Sequence, residues 1–314
     1  MTALTLEQIA ELANVSRSTV SRVVNNHPNV RPSVRDRVMR VIEEQGYAPN
    51  AAARSLASQR SSVLGLLIPR SAAFTFSDPF FSHVIQGIQS ECHSRGYFLM
   101  LSMLAAEMEQ SFYQRIVRSR HFDGVLMLSS DIDDPLLPLL IKDRYPLVLI
   151  GRHPYFDDVA WVDVDNRDGA RQATEHLLAL GHQRIATITG TLQQAVAISR
   201  RDGYRQALLA AGQQPQPELI AEGDFTQEGG RQAMVRLLGA TLRPTAVFVA
   251  SDTMALGALQ ALDEAGLRVP EDIALVGFDD LPGSASSTPP LTTVHQPVAD
   301  LGSAAADLLI SAIE

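Results

Sequence analysis

Arg17, Ser18, Thr19, Ser21 and Arg22 bring forked guanidinium groups and short hydroxyls together in one short stretch. These are the side chains that hydrogen-bond to base edges and phosphates at little cost when exposed. On a helix, Arg17, Ser18, Ser21 and Arg22 share one face, while Val20, Val23 and Val24 form an apolar stripe on the other. Such a polar face suits a DNA major groove, provided other elements hold the apolar stripe. Leu6, Ile9, Ala10 and Ala13 follow the i, i+3, i+4, i+7 spacing of a preceding helix, with Ala10 small where two helices cross closely. Asn14 and Val15 make the turn, and Ser16 can cap the second helix. A third helix is announced by Arg31-Pro32-Ser33, buries Val34, Val38, Val41 and Ile42, and stops at Gly46. The pattern is a helix-turn-helix unit.

Charge supports the same division. Residues 1–60 carry eight arginines against five acidic residues, a balance of +3, while the whole chain of 314 residues is −9. Attraction to phosphate is therefore concentrated at the N-terminal end, and the acidic remainder limits non-specific adhesion. Lys142 is the only lysine, a bias that suggests a GC-rich bacterial source. No signal-like apolar segment or membrane-length apolar run occurs, so the expected location is the cytoplasm, with DNA binding tying the protein to the nucleoid. Cys92 is the only cysteine, which excludes an internal disulfide or a thiolate zinc site, and it is expected to pack in the helix after Phe81.

From Ser61 onward, buried-strand runs alternate with amphipathic helices, the mark of parallel sheets. Strands are expected at Val63–Ile68, Tyr97–Leu101, Gly124–Leu128 and Leu147–Ile150, then Arg184–Thr189, Ala246–Ala250 and Ile273–Gly277. Helices are expected near Phe81–Ser94, Met108–Arg120, Arg167–Leu180, Arg201–Ala211, Gln227–Leu238 and Thr253–Ala265, several ending at a glycine such as Gly181 or Gly266. The fold class is thus an N-terminal all-α helix-turn-helix headpiece plus an α/β core of two doubly wound parallel-sheet subdomains. A ligand belongs between them, beyond the carboxyl ends of the strands.

The helix-turn-helix, the Tyr47-Ala48-Pro49-Asn50 step and the short segment from Asn50 to Ala57 resemble the headpiece and hinge of the LacI/GalR family of bacterial transcriptional regulators. The likeness continues through Asp78-Pro79-Phe80-Phe81, Arg200-Arg201-Asp202-Gly203-Tyr204, Ser251-Asp252-Thr253-Met254-Ala255-Leu256-Gly257, Gly277-Phe278-Asp279-Asp280 and Pro290-Leu291-Thr292-Thr293-Val294. The body is similar to the sugar-binding core that the family shares with periplasmic binding proteins. The resemblance implies a headpiece at 1–49, a hinge at 50–60 and an effector-binding, dimerising core at 61–314. Its first subdomain takes about 61–160 plus 291–314, and its second about 161–290. In one respect the sequence departs from the family pattern, whose members usually carry another strand or two after the helix that here ends at Glu314.

By the same resemblance, Thr5, Arg17, Ser18, Thr19, Ser21, Arg22, Asn25, Asn29 and Ala53 face DNA, and Leu56 wedges between base steps in the minor groove. In the cleft, Arg200 stands where members fork an arginine onto ligand hydroxyls, Asp279 where a carboxylate accepts from them, and Ser251 where lactose-type members have asparagine. Arg152 follows the strand end at Gly151, Phe80 and Phe81 follow the first strand, and Phe225 takes the place of a stacking tryptophan. A planar guanidinium, a carboxylate and aromatic faces suit a sugar, and two arginines admit a sugar phosphate. The implied partners are a pseudo-palindromic operator, a small-molecule effector and a second copy of the chain, with no cofactor and no metal. Whether the effector releases or recruits DNA is open, since the family contains both kinds.

Enzyme chemistry finds no footing. There is no phosphate loop ending in Gly-Lys-Ser/Thr, no G-x-G-x-x-G after a strand and no G-x-S-x-G elbow. His176 and His182 do not share a helical face as a metal pair, and in the adjacent acids Asp279-Asp280 at least one side chain must point away. The alternatives are a regulator whose Phe80 and Phe81 stack on a nucleobase, and a ligand-binding module without DNA regulation.

Overall fold

The computed structural model describes residues 4–24, 27–47, 60–103, 112–118, 121–128 and 131–314. The chain divides into two compact units, residues 1–61 and 62–314. In the first, helices Leu6–Leu12, Arg17–Val24 and Pro32–Glu44 enclose Ile9, Ala10, Ala13, Val20, Val23 and Val38. Thr5 and Gln8 form a capping box, with Thr5 N donating to Gln8 Oε1 at 2.8 Å. Asn14 takes the left-handed conformation, φ 49°, that the tight turn requires. Ser16 caps as expected, its Oγ accepting from Thr19 N at 3.2 Å. The proposed hinge at 50–60 lies almost wholly outside the described residues.

The second unit holds two all-parallel sheets. The first comprises β1 (Val63–Ile68), β2 (Phe98–Met103), β3 (Gly124–Leu128), β4 (Leu147–Ile150) and β5 (Ala160–Val162), in the order β2-β1-β3-β4-β5. The second comprises β6 (Ile185–Thr189), β7 (Ile220–Glu222), β8 (Ala246–Val249), β9 (Ala274–Asp279) and β10 (Thr292–His295), in the order β10-β9-β8-β6-β7. Helices cover both faces, which is why β3, β6, β8 and β9 are buried along their whole length instead of alternating. Among the described residues no helix is long and apolar enough to cross a membrane.

Several expected elements move. The strand placed at Tyr97–Leu101 runs Phe98–Met103, and the helix placed at Arg201–Ala211 begins at Ala195, which brings Arg200 inside it. Of the helix expected over Met108–Arg120, only the π-helical turn Tyr113–Val117 and its flanks are described. The short strands β5, β7 and β10 were not anticipated, because three or four residues carry too little periodicity to register. β10 pairs with β9, so residues 292–295 belong to the second subdomain and the return to the first falls after them, not at 291.

The returning helix Val298–Ile313 packs on the first sheet beside helix Pro79–Ser94, which buries Cys92; burial pushes its thiol up to about 11. The two helices cross closely at glycines. A Cβ on Gly87 would lie 1.9 Å from Ala299 O, and one on Gly302 would lie 2.3 Å from Val84 O. Gly87→Ala should therefore destabilise by about 1–3 kcal/mol through overpacking, against the gain of about 0.5–1 kcal/mol that alanine ordinarily brings to a helix interior. Urea denaturation reads the sign, and a gain in stability would show that the helices are not in close contact here.

Candidate functional site

The cleft between the two sheets contains a cavity, and Phe80, Phe81, Arg152, Arg200, Phe225, Ser251 and Asp279 all line it. Phe80 and Phe81 enter from the first turn of helix Pro79–Ser94, which Asp78 caps by accepting from Phe80 N at 3.0 Å. Their rings meet edge to face at 5.6 Å, with Phe81 buried in the core and Phe80 half-buried at the wall. Phe225, at φ 66°, lies so close to Gly190 that a Cβ there would come within 2.0 Å of the ring. Glycine at 190 is what lets this aromatic wall approach the end of β6.

Arg200 occupies the floor, 4% exposed. Its Nε donates to Asn166 Oδ1 at 2.9 Å, Nη1 to Ala250 O at 2.5 Å and to Asp279 Oδ1 at 3.2 Å, and Nη2 to Gln296 Oε1 at 3.0 Å. The guanidinium carbon sits 3.7 Å from the Phe278 ring centroid. Most of the donors expected to fork onto a ligand are thus committed to the protein. Burial lowers the Arg200 pKa from its ordinary value.

Asp279 ends β9 at φ 112°, and burial, with Asp252 and Asp78 nearby, pushes its carboxyl up to about 8 despite Arg200. Asp280 turns away to the surface, 2.9 Å from His295 Nδ1, so the two adjacent acids share no chemistry. Ser251 is buried as the cap of helix Asp252–Glu264, its Oγ accepting from Met254 N at 3.2 Å. Arg152 stays at the rim: it is exposed, pairs with Asp157 at 3.3 Å and lies 5.3 Å from the centre of the Trp161 ring.

The cavity also takes Asp163, Asn166, Gln194, His153 and Gln296, which sequence reasoning missed. Asp163 and Asn166 follow β5 and Gln296 follows β10, so overlooking those short strands hid the residues at their carboxyl ends. Among the described residues no cluster of His, Cys, Asp or Glu could hold a metal ion.

In the first unit Arg17, Ser18 and Arg22 are exposed, while Thr19 and Ser21 are half-buried. Arg17 Nε lies 2.6 Å from Glu7 Oε1, an exposed pair that a phosphate can replace at small cost. Thr19 Oγ1 meets Ser16 Oγ at 2.8 Å, Thr5 serves the first helix cap, and exposed Asn29 donates its backbone N–H to His27 Nδ1 at 3.3 Å. Asn25, Ala53 and Leu56 lie outside the described residues.

Comparison with known proteins agrees with this fold. Residues 5–50 match the family described as bacterial regulatory proteins, lacI family, and residues 174–314 match the periplasmic binding protein-like domain. The transcriptional regulator CelR of Thermobifida fusca is 41% identical over 311 residues, covering 98% of this chain and 92% of CelR. The ribose operon repressor of Escherichia coli K12 is 38% identical over 314 residues, covering 98% and 93%. The repressor PurR of Aliivibrio fischeri ES114 is 36% identical, covering 99% and 92%. Among solved structures, a CelR–cellobiose complex superposes with a TM-score of 0.78 at 39% identity, covering 99% of this chain and 93% of that one. The Lac repressor dimer bound to operator and the anti-inducer ONPF gives 0.86 at 32%, with the same coverage.

The raised carboxyl of Asp279 has a pH signature. Between its ordinary value near 4 and about 8, the folded chain keeps a proton that the unfolded chain releases. The stability tied to that proton is full at low pH and is lost as pH rises through about 8. Burial also raises Asp78, Asp163 and Asp252. The wild-type melting temperature should therefore fall between pH 5 and 8, and more shallowly in Asp279→Asn. Equal slopes in the two proteins would contradict the assignment.

Proposed function

This chain belongs to the lacI family of bacterial regulatory proteins, and from that premise we propose that it is a repressor whose operator affinity is set by a small sugar held in the cleft. We assign residues 1–49 to the DNA-reading headpiece, 50–60 to the hinge and 61–314 to the effector core. The chain acts as a homodimer on a pseudo-palindromic operator. Arg17, Ser18 and Arg22 read or brace the major groove, and Leu56 wedges the minor groove between paired hinges.

The observation that carries the sugar is the composition of one cavity. Aromatic faces from Phe80, Phe81 and Phe225 converge there with the polar groups of Asp279, Asn166, Gln194 and Arg200. A sugar offers C–H groups on its faces and paired hydroxyls at its rim, which this set matches. Cellobiose, bound by the related CelR, supplies the first candidate. The same aromatic walls favour a second reading, a nucleobase stacked on Phe80. Arg152 at the rim leaves room for a phosphorylated sugar.

Effector binding acts on DNA by favouring one closure of the two subdomains, which alters how the hinges are presented. Calorimetric titration of the full chain with cellobiose, monosaccharides, sugar phosphates and nucleobases tests the ligand class. Saturable binding of one sugar, weakened at least tenfold in Phe80→Ala, is expected; binding of a nucleobase alone would replace the sugar reading. Arg22→Ala should lower operator affinity by about tenfold and reduce the slope of log affinity against log salt by about 1. Unchanged affinity across a salt series would remove Arg22 from the interface.

A further inference from the structure

Polar contacts join the two subdomains at two points, away from the segments where the chain crosses between them. At the first, Ile132 N donates to Gln193 O at 2.8 Å. Arg70, just after β1, grips Asp131 with both ends of its fork, Nη1 reaching Asp131 Oδ2 at 2.9 Å and Nη2 meeting Oδ1. With the Gln194 amide turned so that its oxygen faces the guanidinium, Arg70 Nε donates to it at 3.3 Å, joined by Nη2. His153 braces the same loop, its Nε2 lying 3.1 Å from Ile132 O. At the second, Thr253 Oγ1 donates to Asp78 Oδ1 at 3.0 Å.

We propose that these contacts form a two-point clasp, with Ile132 holding Gln193 and an Asp131-braced Arg70 holding Gln194 at one point and Asp78 holding Thr253 at the other, and that this clasp sets the equilibrium between open and closed cleft. For the claim that it controls effector affinity, the proposal rests on the function given above; the clasp itself does not.

The chemistry distinguishes a releasable clasp from a permanent joint. The Arg70 side chain is 20% exposed, so water can take over its hydrogen bond to Gln194 when the subdomains part, while its pair with Asp131 stays within the first subdomain. The Asp78–Thr253 contact is buried but is a single hydrogen bond from a neutral hydroxyl. Arg200 and Asp279 are 4% exposed and cannot be exposed so cheaply. Gln194 links the clasp to the cavity: it lines the cavity and directly precedes helix Ala195–Ala210, which carries Arg200. Asp78 does the same at the second point, since it lines the cavity and caps the helix that presents Phe80 and Phe81. A ligand touching these walls and the clasp therefore act on the same helix ends, and each stabilises the closure that the other favours. Arginine is required at position 70 because one planar fork serves a carboxylate and an amide together, which a lysine ammonium does not.

Hydrogen exchange on the effector-free full chain tests this, with Arg70→Ala and Thr253→Val releasing one point each. The Ile132 amide, bonded across the cleft, should exchange about tenfold faster in Arg70→Ala, as expected when a local opening becomes easier without global unfolding. Thr253→Val should give a smaller increase at the same amide. Thr253→Ser should restore protection, and Arg70→Lys should restore it only in part. Unchanged exchange at Ile132 in both variants overturns the clasp. Faster exchange spread through β6 and β8 overturns it equally, assigning Arg70 to overall stability. Because no sugar enters the experiment, failure of the sugar reading leaves this result standing, and the two can be told apart.

Discussion

A guanidinium buried to 4% exposure must have its donors met inside the protein, and Arg200 satisfies that demand with groups drawn from distant parts of the chain. Asn166 follows the segment by which the chain first passes from one sheet to the other, and Gln296 stands in the segment by which it returns. Ala250 and Asp279 come from the ends of β8 and β9. One side chain thus fixes both crossings and the floor of the cavity. Removing one of these acceptors leaves a buried donor unsatisfied, at a cost of about 1–3 kcal/mol or more for a charged group. What the network fixes is the geometry at the junction of the two subdomains.

Function follows from where the remaining cavity groups sit relative to that joint. Phe80, Phe81 and Arg152 belong to the subdomain of the first sheet, and Phe225, Ser251 and Asp279 to that of the second. A molecule that touches both sets interacts differently with open and closed arrangements, which is the thermodynamic requirement for control. The headpiece answers with a different chemistry, in which exposed Arg17 and Arg22 sit on a positively charged unit while the body is acidic. The positive charge and the cavity therefore belong to separate units, an arrangement suited to a DNA-binding regulator of the lacI family.

Much of this was legible from sequence, and for local reasons. The headpiece helices follow from apolar spacing and caps within a few residues, and the longer strands from continuous apolar runs. The seven cleft residues came from the family resemblance, and all seven line one cavity. What stayed hidden was long-range or short. Asn166, Asp279 and Gln296 lie 34, 79 and 96 residues from Arg200, so its role as a joint between subdomains could not be read from neighbouring sequence. β5, β7 and β10 are too brief to show alternation, and the overlooked β10 misplaced the chain's return to the first subdomain. Thr5 illustrates a local competition: an exposed threonine suited to a phosphate is also a helix cap, and here it closes a capping box with Gln8.

The most direct measurement is operator binding by the full chain with and without a saturating sugar identified by calorimetry, at fixed salt. The account predicts a shift in operator affinity of at least tenfold, in either direction, corresponding to about 1.4 kcal/mol of coupling. It also predicts the reciprocal shift of sugar affinity when operator is present. Operator and sugar that each bind, with neither altering the other's affinity, would contradict control of DNA binding through the cleft.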